Sequence, residues 1–139
     1  MLKIRFFYDR INYRIKRSKE VKNLIEKVIR KMKKIPGDLN FIITNDKTVR
    51  KLNVKYLSHN YFTDVIAFDY SENEILNGEV YISIDTVKKN AIKYKVRLSS
   101  EILRVIIHGA LHLCGMDDKS KEEKNIMRGL EDKWIKEIL

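Results

Sequence analysis

The sequence predicts an α+β fold: a single domain over residues 1–139, with a small mixed four-stranded sheet packed with about five helices, one of them central. Three observations predict it. The chain has 139 residues, enough for one hydrophobic core and too few for two. Segments that alternate like strands, such as Gly78 to Ile84, are interspersed with segments whose apolar residues recur every three or four positions. One segment, Glu101 to Cys114, is apolar nearly all round, as expected of a helix enclosed by other elements.

Residues 2–8 read as a first strand, followed by a basic stretch from Arg10 to Lys19. Ser18 is placed to cap a helix running to about Lys34, with Val21, Leu24, Ile25, Val28, Ile29 and Met32 as its apolar stripe. Pro36-Gly37 is expected to end that unit, and Leu39 to Ile43 to form the second strand. Thr44-Asn45-Asp46 offers an N-cap for a helix over about Lys47 to Tyr56, and Leu57 to Phe62 reads as loop. Thr63 to Tyr70, rich in β-branched and aromatic residues, and Gly78 to Ile84 are strands. The short polar connection between them predicts an antiparallel hairpin. Asp85 is expected to cap a helix of about Thr86 to Lys95, and Ser99 or Ser100 the central helix. Ser120-Lys121-Glu122-Glu123 is a capping-box pattern opening a last helix with Ile126, Met127, Leu130, Trp134 and Ile138.

Composition narrows the class. Hydrophobic residues make up 44% and charged residues 35%, as in globular proteins. No apolar run approaches the roughly 18 residues of a membrane span, so no membrane association is expected. The N-terminus lacks the apolar core of a signal peptide, which points to the cytoplasm. Cys114 is the single cysteine and has no partner for an internal disulfide. Net charge is +10, and residues 1–37, with 13 Lys/Arg against 3 Asp/Glu, carry all of the excess. Such a region attracts polyanions, nucleic acid above all, with Lys16, Arg17, Lys27 and Arg30 among the candidate contacts.

The chemistry concentrates in His108-Gly109-Ala110-Leu111-His112-Leu113-Cys114-Gly115-Met116-Asp117-Asp118. Histidines four apart lie about 40° apart on one helix face. Gly115 stands where the helix must stop, and glycine accepts the left-handed backbone that a stop uses. Asp117 and Asp118 then turn back past the helix end. The register H-x3-H-x2-G-x2-D is that of the metzincin zinc motif, with Asp118 in place of its third histidine. His108, His112 and Asp118 are therefore the candidate ligands, with zinc favoured and nickel or another divalent ion as alternatives. Metzincins place a catalytic glutamate directly after the first histidine; Gly109 has no side chain to serve, which argues against peptide hydrolysis by that route. Glycine there is also expected to leave room for a bulky substrate. Glu101 and Arg104 share the His108 face and are candidates to orient the ligands. Cys114 is expected to point away as a buried small hydrophobe.

Upstream, Leu52-Asn53-Val54-Lys55-Tyr56, Thr63-Asp64-Val65-Ile66-Ala67-Phe68 and Gly78-Glu79-Val80-Tyr81-Ile82-Ser83 precede the histidine stretch. In order and spacing these four segments, over residues 52 to 118, resemble the YbeY-type rRNA maturation factors, marked by L-N-x-x-Y, T-D-V-x-x-F and H-G-x-L-H-L-x-G-x-D-H. The resemblance implies a zinc-dependent, single-strand-specific endoribonuclease with one Zn2+ per chain. Its expected role is rRNA maturation, with processing of the 16S 3′ end, and ribosome quality control. Its expected partners are rRNA and the ribosomal small subunit or its proteins. It places Asp64 near the active cleft as a further catalytic candidate and makes Asp117 an outer neighbour of the metal, although either carboxylate is within reach. Ser83 is a further candidate to line the cleft. Two positions depart from the family pattern. Asp118 replaces a histidine, and Leu57 replaces an arginine held to contact substrate, leaving His59 or Lys55 as the phosphate contact. Two other classes compete. A ribosome- or RNA-binding assembly factor with a structural metal would lose stability on chelation. A metal-dependent hydrolase of another substrate would show no salt-sensitive RNA affinity.

Overall fold

The computed structural model describes residues 3–57 and 63–139. Its elements are β1 (Lys3–Tyr8), α1 (Ser18–Lys31), β2 (Ile35–Thr44), α2 (Asp46–Leu57), β3 (Val65–Asp69), β4 (Ile75–Ser83), α3 (Ile84–Tyr94), α4 (Leu98–Leu113) and α5 (Lys121–Ile135). The strands form one sheet in the order β1-β2-β4-β3. β1, β2 and β4 run parallel, and β3 returns antiparallel to β4 with Val65 opposite Ile82 and Asp69 opposite Gly78. This is the mixed sheet of a small α+β domain, with the expected hairpin.

Alternation along the strands puts Leu39, Phe41 and Ile43 of β2 and Leu76, Val80 and Ile82 of β4 on one face, all fully or almost fully buried. α4 packs on this face, with α1 beside it and α3 and α5 along its other sides. Ile106, Ile107, Ala110 and Leu111 are wholly buried, so the helix that is apolar nearly all round is central for the expected reason. The opposite face of the sheet carries Phe68 and Tyr81, which meet edge-to-face at 5.9 Å.

Local differences from expectation have local causes. β2 begins at Ile35 and includes Pro36-Gly37. β1 pairs with β2 only from Asp38 onward among the described residues, so the missing N–H of Pro36 interrupts no described ladder on that side. The register with β4 shifts between Pro36 and Leu39. Ser18 is the first residue of α1, not its cap; Arg17 holds that place in a left-handed conformation with no side-chain capping bond. α3 is capped by Ser83, whose hydroxyl accepts the Thr86 N–H, and not by Asp85. α4 starts at Leu98 after Arg97, so neither Ser99 nor Ser100 caps it. The Ser120–Glu123 capping box is present with both reciprocal bonds. Ile126 on α5 is exposed and so stands off the core-facing stripe.

Candidate metal centre

α4 ends in a Schellman motif. The Met116 N–H reaches the Leu111 carbonyl at 3.1 Å and the Gly115 N–H reaches the His112 carbonyl at 2.9 Å. Gly115 sits at φ 98°, which a side chain would resist. The turn carries the chain back across the end of α4 and brings Asp118 over the two histidines.

His108 Nε2 and His112 Nε2 lie 3.0 Å apart. Asp118 places one carboxylate oxygen 3.3 Å from His108 Nε2 and the other 3.5 Å from His112 Nε2. These separations match the edges of a tetrahedron about zinc, which at a Zn–N distance of about 2.0–2.1 Å are about 3.3 Å long. The three side chains thus fit a metal ion on geometry and on donor chemistry. Among the described residues they form the single group of histidine, cysteine and carboxylate ligands with this convergence. Asp117 is exposed and outside the group; of the two carboxylates, Asp118 is the one turned inward.

A residue with no motif behind it orients His108. Glu131, buried on α5, meets His108 Nδ1 at 2.6 Å. Accepting the Nδ1 proton leaves Nε2 as the lone-pair nitrogen aimed at the metal position. Arg104 Nη1 holds the other Glu131 oxygen at 3.0 Å, and the Arg104 guanidinium lies 4.0 Å from Glu101 and also bonds Asp132. Glu101 and Arg104 therefore reach His108 through Glu131. Burial acts to lower the His108 pKa, but the Glu131 bond and charge, with Asp118 and Asp64, outweigh it and raise the pKa above its ordinary value. A divalent cation would meet the same negative field. One sequence signal points to Glu131: it lies four residues after Met127 and three before Trp134, a carboxylate on an apolar stripe.

Asp64, at the entrance to β3, lies on the wall of a cleft of about 500 Å3 that exposes His108, His112 and Asp118. It also borders a second hollow of about 330 Å3 beyond His108, lined by Glu101, Arg104 and Glu131. Burial raises the Asp64 pKa, while the charge of His108 pulls the other way.

Two expectations are corrected. Gly109 does not make space for substrate: a Cβ there would meet Val80 Cγ1 at 2.7 Å, so the glycine lets α4 lie close on the sheet. Ser83 is fully buried, gives its hydroxyl to the Asp46 carboxylate and does not line the cleft. The basic first quarter, named for polyanion contact, contributes no described residue to the lining of the cleft. Arg17 bonds Glu20 and the Ile138 carbonyl, and Arg30 pairs with Glu26 at 3.0 Å. Lys16 lines a hollow beside Arg97 and Ile138, and Lys27 one beside Glu20 and Glu137. Lys55 faces a separate groove along α2. His59 lies outside the described residues. Cys114 is half-buried against the core, and burial pushes its thiol up to about 11.

A family model described as endoribonuclease YbeY matches residues 8–139. An endoribonuclease YbeY of Flavobacterium psychrophilum is 40% identical over 133 residues, covering 96% of this chain and 94% of the relative. That of Christiangramia forsetii is 37% identical over 129 residues, covering 93% and 90%. A solution structure of a Thermotoga maritima protein superposes with a TM-score of 0.66 at 27% identity, covering 96% of this chain and 87% of that one.

Proposed function

The chain belongs to the endoribonuclease YbeY family, and from that premise we propose that it is a zinc-dependent, single-strand-specific endoribonuclease of rRNA maturation. His108, His112 and Asp118 hold one zinc ion per chain on this reading. The observation that carries it is the 3.0–3.5 Å spacing of their ligand atoms at the floor of an open cleft. Three protein ligands beside a cleft leave a position for substrate, the arrangement of catalytic zinc; a structural site closes with four. Bound zinc supplies Lewis-acid stabilisation of the charge that develops on a phosphodiester under attack by water.

The protein's own groups do the rest. Glu131 holds the imidazole of His108 in its tautomer, with Arg104 and Glu101 behind it. Asp64, whose raised pKa brings it nearer the working range of a general acid or base, stands on the cleft wall to take or return a proton. Asp118 makes the centre more anionic than a third histidine would. Family membership supports rRNA as the substrate, with 16S 3′ end processing and ribosome quality control as the role and the small subunit or its proteins as partners. No helix among the described residues is long and apolar enough to cross a membrane; we place the activity in the cytoplasm.

Metal-loaded protein is expected to cut a single-stranded oligoribonucleotide and to spare its duplex, and His108→Ala/His112→Ala to lose that cleavage. Equal activity in the two proteins would sink the reading. Chelation is expected to abolish cleavage with little change in the unfolding midpoint, because packing of Ile106, Ile107 and Leu111 holds α4 in place without the ion. A loss of several kcal/mol on chelation would point instead to a structural metal.

A further inference from the structure

α2 has two faces. Val49 and Asn53 are buried. On the other side Lys47, Arg50, Lys51, Val54 and Lys55 recur at i, i+3, i+4, i+7 and i+8, the spacing that aligns side chains along one helix face. All five are exposed and line a groove of about 710 Å3. Two carboxylates, Asp46 and Asp85, also line it, and both are engaged in the fold. Asp46 accepts the hydroxyls of Ser83 and Thr86, the latter at 2.5 Å, and Asp85 accepts the Asp46 N–H at 2.9 Å. These bonds tie the first turn of α2 to that of α3, so the cationic stripe has a fixed course.

That course leads to the metal centre. Leu57, the last residue of α2, is on the wall of the cleft that exposes His108, His112 and Asp118. At about 1.5 Å per residue the stripe runs about 15 Å from Lys47 to this wall. Near the cleft end Tyr56 is 56% exposed, edge-on to Phe68 at 5.5 Å and with Lys55 Nζ 5.2 Å from its ring centroid. Cations tracking a backbone beside an exposed aromatic ring form the usual platform for single-stranded nucleic acid.

We propose that the Lys47–Lys55 face of α2 is the track that holds the phosphate backbone of single-stranded RNA and feeds it to the metal centre. The proposal rests on the endoribonuclease reading above. It moves the principal RNA contact from the basic first quarter to α2: charge complementarity names a polyanion, and continuity with the cleft selects this surface.

The test compares Lys47→Ala/Lys51→Ala/Lys55→Ala with Lys19→Ala/Lys27→Ala/Lys31→Ala on α1, which removes the same charge from exposed positions. Binding of a single-stranded oligouridylate is measured across salt concentrations in the non-cleaving His108→Ala/His112→Ala background, and KM in the active one. Each phosphate contact to a single strand contributes about 0.7 to the slope of log affinity on log salt, so losing three lowers the slope by about 2. The α2 set is expected to show that loss and a raised KM, and the α1 set much less of either. If wild type cleaves and the α2 set keeps its slope and KM, the track is wrong and the ribonuclease reading stands. Equal losses in both sets mean diffuse charge and also overturn the track. Wild type that neither binds nor cleaves the strand overturns both.

Discussion

Serving as a metal ligand, the role proposed for His108, requires a fixed imidazole, and Glu131 fixes it. A carboxylate on the remote nitrogen of a metal-ligating imidazole sets the tautomer and raises ligand basicity, and losing such a group typically costs 10–100-fold in metal affinity. On the proposed zinc reading, Glu131→Gln is expected to weaken metal binding by about that factor in a competition titration with a chromophoric chelator. In metal-free protein the same variant lowers the His108 pKa, since the Glu131 bond and charge act to raise it. A variant with unchanged affinity and unchanged His108 titration removes Glu131 from the centre. His108, His112 and the Asp117–Asp118 pair are legible in the sequence because all lie within a helix and the turn that closes it. Glu131 is 23 residues from His108 and comes into reach only when α5 packs on α4.

At the level of the element, glycines decide how closely helices approach their neighbours. Gly109 on α4 faces Val80 of β4, a residue with no exposure and a stiff β-branched side chain. Gly109→Ala gains about 1 kcal/mol of helix propensity but forces a Cβ to 2.7 Å from Val80 Cγ1. Overpacking of this kind costs about 1–3 kcal/mol, so a net loss of stability is expected. Gly129 on α5 faces open space, with nothing within 4 Å of where a Cβ would stand. Gly129→Ala is accordingly expected to stabilise by up to about 1 kcal/mol. Urea unfolding of both variants checks the opposite signs; a stabilised Gly109→Ala would mean that α4 does not lie as close to β4 as described. Helix ends are harder to read from spacing. Several Ser and Asp residues stand near each start, and spacing does not say which one leaves the helical backbone. Ser83 takes the cap of α3 and frees Asp85 to bind the Asp46 N–H. Where two complementary residues agree, as in Ser120 and Glu123, sequence and structure coincide.

For the molecule as a whole, buried carboxylates couple stability to pH. Glu101 is buried on α4, and burial raises its pKa despite the nearby Arg104. The folded state then holds this proton more tightly than the unfolded chain. Its contribution is fully present below the unfolded pKa, about 4.3, and is lost as pH rises through the higher folded value. Glu101→Gln removes that contribution, so the stability of the variant relative to wild type is expected to be more favourable at pH 7 than at pH 4. Denaturant unfolding at the two values measures it, and a relative stability that falls with pH contradicts the sign. Charge has its own geography at this scale. The excess of +10 lies in residues 1–37, while the cations that line the α2 groove belong to a stretch of the chain that is neutral overall.

Short-range spacing along the chain is enough to establish the two histidines on one face of a central helix, the glycine that ends it, the capping box and the mixed α+β class. These follow from helix and strand periods, which relate residues a turn or two apart. The assembled fold is needed to show which aspartate converges on the two histidines, that Glu131 bonds His108, that Gly109 serves packing, and that the α2 cations lie along a helix whose last residue lines the cleft. Each of those depends on elements far apart in the chain meeting over a common core, and no local period encodes that meeting.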